Sequence, residues 1–264
     1  KKNDKLELNK DLIGGEQFSF SQSMTDPNYS KFDIPAPEKK GRFLKSQISG
    51  DGSTLVLLRE FAQDQTFTDQ ELLRDTRVTV YKRNGDQWIF HSDFKVTGDF
   101  ATIHDFRNAY GNDYLIPTLA INKNGDSIAV CDSAFEIANM SRGFVFLYKL
   151  DSDDEYSLVS RAFAENNEYL GVDVSLSDDG DTVAISNRTS SRWPYFQGSV
   201  AVYNYTGDLD LEKVGSTIKP SVFSEYNRVN AFGEKIQLSA DGQRLAIIRF
   251  QGSRFSETSD PFLE

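Results

Sequence analysis

The stretch from Asp173 to Ser186 reads DVSLSDDGDTVAIS, two short runs of alternating apolar and polar residues on either side of Asp-Gly. A period of two puts Val174 and Leu176 on one face of a strand, and Val183 and Ile185 on one face of the next. Asp-Gly between such runs marks a tight hairpin, because both turn residues reach positive φ at little cost. Three more stretches carry the pattern: SQISGDGSTLVLL (Ser46 to Leu58), TLAINKNGDSIAV (Thr118 to Val130) and KIQLSADGQRLAII (Lys235 to Ile248). Their turn glycines, Gly52, Gly125, Gly180 and Gly242, stand 73, 55 and 62 residues apart. This is an internal repeat.

Each of the first three hairpins is followed by a third run that ends in tyrosine: TRVTVY (Thr76 to Tyr81), GFVFLY (Gly143 to Tyr148) and GSVAVY (Gly198 to Tyr203). Polar turns (RNGDQ, DSDDE and NYTGD) then lead into a more polar fourth run, QWIFHSDF, YSLVSRAF or LDLEKVG. Strand, turn, strand, long loop, strand, turn, strand is a four-stranded antiparallel meander, the blade of a β-propeller. A β-sandwich also has many short strands, but it does not repeat one ordered four-strand pattern three times.

The predicted fold is therefore all-β, a single β-propeller domain or fragment with full blades at 46–96, 115–163 and 171–218. Two partial blades flank them. Residues 1–45 hold a linker and KLELNK (Lys5 to Lys10), the outer strand of a preceding blade, and 232–264 hold an inner hairpin. The half-blades predict a fragment of a longer propeller, with the remaining blades as partners; the alternative is that Lys5 to Lys10 closes the ring on the last hairpin. Helix is scarce, its best candidate being DQELLRD (Asp69 to Asp75) inside a long loop.

The pattern Ser-x-Asp-Gly-x-x-Leu/Val-Ala-Ile, as in SDDGDTVAI and SADGQRLAI, resembles the WD40-like Asp-Gly repeat of TolB-type propellers. AFGEKIQLSADGQRLAI, opened by Phe232-Gly233, is also similar to the FG-GAP repeats of integrin-type propellers, a mixture found in large surface proteins of marine microbes. The resemblance spans most of Ser46 to Ile248 and implies architecture, since such propellers serve as platforms for unrelated partners. FG-GAP blades often hold calcium, but the ligand positions here would be Ser175, Ser177 and Val183, or Ala120, Asn122 and Ile128. A hard cation needs six to eight oxygens, so the calcium cage is not carried over.

Composition narrows the partners. Across 264 residues, 29 Lys+Arg face 40 Asp+Glu for a net charge of −11, which disfavours nucleic acid and anionic membrane surfaces. No apolar run is long enough to span a bilayer, so this segment is not expected to insert into membranes. The lone Cys131 excludes an internal disulfide and a zinc site built on cysteine pairs. His91 and His104 form no HExxH pair, and His91 on an outer strand reads as a surface residue. Neither a G-x-S-x-G elbow nor a phosphate-binding glycine loop occurs, and DSDDE lacks the glycine and terminal glutamate of a calcium hand. No catalytic, metal or cofactor residue is assigned.

Binding residues are assigned by loop length. In a meander the first and third turns share one rim, and the second and blade-to-blade connections share the other. The long ones, Arg59 to Asp75, Thr97 to Tyr114, Cys131 to Arg142, Asn187 to Gln197 and Gly215 to Ala231, all fall in the second class. Long loops on a rigid scaffold are where binding resides. They are rich in aromatics, which pack loops down or form contact surfaces. The candidate partner-binding residues are Arg192, Trp193, Tyr195 and Phe196, with Phe106, Tyr110 and Tyr226. Sequons at Asn28, Asn139, Asn187 and Asn204 point toward an extracellular or cell-surface glycoprotein, with a cytoplasmic location as the alternative. The expected function is a non-catalytic module binding protein or glycan. The alternative is a polysaccharide hydrolase or lyase using channel-mouth carboxylates.

Overall fold

Fourteen strands are present among the described residues of the computed structural model, which are 42–62, 74–96, 117–137, 141–164, 168–189, 196–220 and 229–251. They all belong to one compact unit within Phe32–Glu264. The first sheet is an antiparallel meander of β1 (Arg42–Ile48), β2 (Thr54–Ala62), β3 (Arg74–Asn84) and β4 (Gln87–Lys95). A second meander follows: β5 (Thr118–Ile121), β6 (Ser127–Ile137), β7 (Ser141–Leu150) and β8 (Tyr156–Phe163). The third comprises β9 (Glu168–Leu176), β10 (Thr182–Thr189), β11 (Phe196–Asn204) and β12 (Glu212–Ile218), and a hairpin of β13 (Val229–Leu238) and β14 (Leu245–Gln251) ends the series. Short parallel bridges, Arg142↔Tyr169 and Phe196↔Val229, join the last three units into one ten-stranded sheet. All-β, four-stranded antiparallel units repeated in chain order make the fold propeller-like.

The four inner turns share one chemistry. The amide of each turn glycine donates to the carbonyl of the residue three before it: Ser49, Asn122, Ser177 or Ser239. In three turns that serine also donates its hydroxyl to the turn aspartate, as in Ser177 to Asp179 at 2.5 Å, and accepts from the amide opening the next strand, Thr182 at 3.0 Å. Ser49 and Ser239 do the same with Asp51 and Asp241. Asn122 substitutes by accepting from the amides of Asp126 and Ser127. The connection is thus a serine-capped turn spanning Ser49 to Ser53 and its equivalents, longer than the two-residue turn the sequence suggests. Serine hydroxyls and backbone amides hold the Asp51, Asp179 and Asp241 carboxyls below their ordinary value.

The turns also stack on one another. Gly125 sits against Thr54 of the preceding unit, Gly180 against Ser127 and Gly242 against Thr182, each close enough that a Cβ would collide. Gly52 has the same positive φ with open space around it. Asp51 donates its amide to the Lys123 carbonyl at 2.9 Å, and Asp178 donates to Ala240 at 2.8 Å. All the turns therefore lie on one rim.

The core lies between units. Val56, Leu58, Val78 and Val80 of the first meander bury against Ile128, Val130, Phe144 and Phe146 of the second. Ala129, Cys131, Val145 and Leu147 on its other face meet Val183, Ile185 and Ala201 of the third. Ala184 and Val200 then meet Ile236 and Leu238 of the hairpin. Second strands buried on both faces explain the continuous apolar runs of β6 and β10. The outer strand β12 is largely exposed, as its polar sequence requires, whereas β4 is partly covered, with Trp88 and 91–94 half-buried.

Several expectations change. Strand pairing continues past the alternating pattern, because ladder hydrogen bonds join main chains whatever the side chains. Residues 131–137 belong to β6 and 141–142 to β7, so the stretch from Cys131 to Arg142 is mostly strand. Likewise 59–62 and 74–75 lie in β2 and β3, 187–189 and 196–197 in β10 and β11, and 215–218 and 229–231 in β12 and β13. The helix candidate cannot include Arg74 and Asp75, which are strand; its other residues, His104, Lys5 to Lys10 and 252–264 lie outside the described residues. His91 is half-buried, its Nε2 lying 3.1 Å from Asp154 across the first two meanders and its ring against Tyr156, because the outer strand faces its neighbour's turn. Asn187 is buried in β10, so the fold leaves no room for a glycan there, whereas Asn204 is exposed.

Gly52→Ala is expected to cost about 1 kcal/mol, from its backbone alone. Gly125→Ala adds the collision with Thr54 and should cost about 1–3 kcal/mol more in urea melts. Ser177→Ala leaves the half-buried Thr182 amide without its acceptor and should cost about 1 kcal/mol. The depressed carboxyls contribute stability that is full above the unfolded value of 3.8 and is lost as pH falls through their folded values. A melting series from pH 7 to 2 should show Ser177→Ala losing less on acidification than the parent chain.

Candidate functional site

An innermost strand has one edge without a ladder partner, and its amides must find acceptors elsewhere. Here they find side chains on the neighbouring inner strand. Ile121 donates its amide to Gln47 Oε1 at 3.0 Å, Ile236 to Asp173 Oδ2 at 3.0 Å, and Leu238 to Ser175 Oγ at 2.9 Å. The inner face is polar because these acceptors are needed there.

One column of this face stands out. Four residues ahead of each capping serine or asparagine lie Lys45, Thr118, Asp173 and Lys235, at matching positions of β1, β5, β9 and β13. Lys45 donates to Thr118 Oγ1 at 2.5 Å and lies 3.7 Å from Asp173 Oδ1. Lys235 approaches the same oxygen at 3.4 Å. Asp173 is buried and holds both ammonium groups while accepting from Ile236. Burial lowers the pKa of Lys45, Asp173 opposes that shift, and Lys235 adds to it. Beside this trio opens a cleft of ≈ 400 Å³, whose lining mixes Lys45, Gln47, Asp173 and Lys235 with Val174, Ile236 and Ile248.

The residues assigned from sequence are placed differently. Phe196 opens β11, where its main chain makes the parallel bridge to Val229. Arg192, Trp193, Tyr195, Phe106, Tyr110 and Tyr226 lie outside the described residues. The cleft residues were missed, although their signal was present: aligning the repeats on the turn glycine puts a polar residue at one inner-strand position in every unit.

The two rims differ as meander topology requires. On the turn rim the connections are short, such as 49–53, 85–86 and 122–126. The strand ends that face the opposite rim are those that lead in sequence into 63–73, 96–117, 190–195 and 219–228, and into two shorter stretches, 138–140 and 164–167. Among the described residues no group of three His, Cys, Asp or Glu could hold a metal ion, and no helix is long and apolar enough to cross a membrane.

No protein-family model matches the chain, and no curated protein does. Among solved structures it is similar to the tricorn protease, at a TM-score of 0.41 and 10% identity over 78% of this chain, where it spans 21% of that protein's length. It is also similar to hydrazine synthase of Kuenenia stuttgartiensis, at a TM-score of 0.34 and 14% identity, covering 85% of this chain and 77% of that one. Likeness at this level carries no argument about function, and the architecture rests on the strand topology.

Asp173→Ala strands a partly buried ammonium and the Ile236 amide together, and should cost about 3 kcal/mol. Lys235→Gln removes a mostly exposed charge and should cost under about 1 kcal/mol. Paired urea melts that ranked them the other way would show that Asp173 is not the keystone of the column.

Proposed function

We propose that the chain is a non-catalytic interaction module, a propeller of the Asp-Gly repeat type at the cell surface or outside the cell. It engages a protein or glycan through the rim that carries the long connections. The supporting observation is the division between rims. One is closed by capped, stacked turns, while the longer connections leave from the strand ends that face the other. The interaction residues are Arg192, Trp193, Tyr195, Phe196, Phe106, Tyr110 and Tyr226. Asp173, the carboxylate of the inner column, accepts from the Ile236 amide and from Lys235 and pairs with Lys45 at 3.7 Å, an arrangement suited to structure more than to proton transfer.

The test is affinity electrophoresis through gels holding an acidic polysaccharide (polygalacturonate) or a neutral one (laminarin), with reducing ends counted in parallel. Retardation that Trp193→Ala weakens about tenfold, with no new reducing ends, is the expected result for a glycan-binding rim. Accumulating reducing ends would instead identify a hydrolase. Unchanged migration in every gel would leave a protein as the partner.

A further inference from the structure

The junction between the first two units is built differently from the others. Parallel bridges join the last three units into one sheet, whereas the first meander shares no strand ladder with the second among the described residues. We propose that His91 and Asp154 form a proton-operated clasp across this junction, which holds the outer turn of the second unit to the outer strand of the first more firmly when the imidazole is charged.

Local geometry aims both side chains. β4 and β8 each carry a bulge at the same place: Tyr81 pairs with Phe90 and Val80 with Ser92, which leaves His91 without a partner across the ladder. A bulge re-aims the side chain it frees. His91 turns onto the β7–β8 turn, with Nε2 3.1 Å from Asp154 Oδ2 and Nδ1 3.0 Å from Ser92 Oγ. Beside the corresponding bulge of β8, the third unit reaches across with main chain instead. Arg161 donates its amide to the Leu209 carbonyl at 2.7 Å and its own carbonyl accepts from Leu211 at 2.8 Å, bonds that involve no titratable group. The outer turns of the first and third units put glycine in the left-handed region, Gly85 and Gly207, but the second puts Asp154 there at φ 64°. Glycine strains the backbone less at such a position, so what the aspartate adds is its carboxylate.

Imidazole chemistry makes the contact depend on protons. A neutral ring has one N–H to serve Ser92 and Asp154; the imidazolium donates from both nitrogens and sets a charge opposite the carboxylate. The His91 side chain is 11% exposed, so solvent screens the pair from the Asp154 side only. The other ionisable groups around it are Tyr156 on β8, edge-on at 5.9 Å, and Lys82 on β3, which donates to the Tyr156 hydroxyl at 3.3 Å. Asp126 of the β5–β6 turn and Asp154 both act on Lys82. On β4 itself, Asp93 is taken up by Arg59 and Arg77. Among the described residues, Asp154 is thus the group that meets the imidazolium with opposite charge at contact distance. Histidine ordinarily changes charge near about pH 6.5, so the added hold is present below that range and is lost as pH rises through it.

The test is thermal melting of the parent chain, Asp154→Asn and Asp154→Gly, each with and without His91→Gln, on the acid side (about pH 5.5) and the alkaline side (about pH 8) of the histidine range. Asparagine also tolerates positive φ, so Asp154→Asn removes the charge alone. It should lower the melting temperature by about 2–4 °C in acid and by less than about 1 °C in alkali. Asp154→Gly relieves the backbone and gives up the same carboxylate, so its loss too should be confined to the acid side. With His91→Gln in place, neither substitution should depend on pH; His104 is common to every variant and cancels. Proton NMR of the two histidine rings gives a readout that needs no His91 variant: one ring should change its titration in Asp154→Asn and the other should not. Equal losses in acid and alkali, a pH dependence that survives His91→Gln, or two unaltered ring titrations would each overturn the proposal, since a turn that is merely structural would behave in those ways.

Discussion

A four-stranded sheet with apolar residues on both faces cannot cover itself, and every unit of this chain beyond the first depends on that constraint. Val56 and Leu58 need Ile128 and Val130 of the next unit, whose own Ala129 and Cys131 need Val183 and Ile185 of the one after. Burial of this kind supplies the main driving force for folding, at roughly 25 cal/mol per Å² of apolar surface. It makes the stability of each unit conditional on its neighbour, as in other repeat architectures. Cooperativity here follows from which face is left bare.

Face-to-face packing also dictates the small residues. Sheets this close bring each inner turn onto the strand start of the preceding unit, so a glycine rests on Thr54, Ser127 or Thr182. Where the third strand of one unit crosses the first strand of the next, Gly143 and Gly198 lie so near the carbonyls of Leu170 and Phe232 that a Cβ would overlap them. These glycines answer to an approach between units. The capping serines answer to a local need, the amides that the turn would otherwise leave unpaired.

The inner face follows from the same packing by a different route. Bringing successive inner strands side by side without a ladder leaves amides that only side chains can satisfy, and Gln47, Asp173 and Ser175 do so. Once a carboxylate is fixed there by Ile236, the low dielectric around it favours cations, and Lys45 and Lys235 close in from either side. The charged column on this face is then a consequence of how the fold satisfies its own backbone.

What the sequence determined by itself is local. Serine, aspartate and glycine at fixed offsets specify three of the four turns, and Asn122 takes the serine's place in the other, through bonds spanning five residues or fewer; alternation specifies the strands they join, so the repeat was legible in the sequence. Strand ends were less legible: β6 continues to Ile137 because main-chain pairing outlasts the apolar pattern. The rest was decided by tertiary structure. His91 looked like a surface residue until the turn at Asp154 met it, and the sequon at Asn187 looked accessible until the strand carrying it was buried. Lys45, Thr118, Asp173 and Lys235 are distant in sequence and differ in kind. Their meeting depends on the angle between successive sheets, which is set by packing across whole faces and leaves no signature in any one segment.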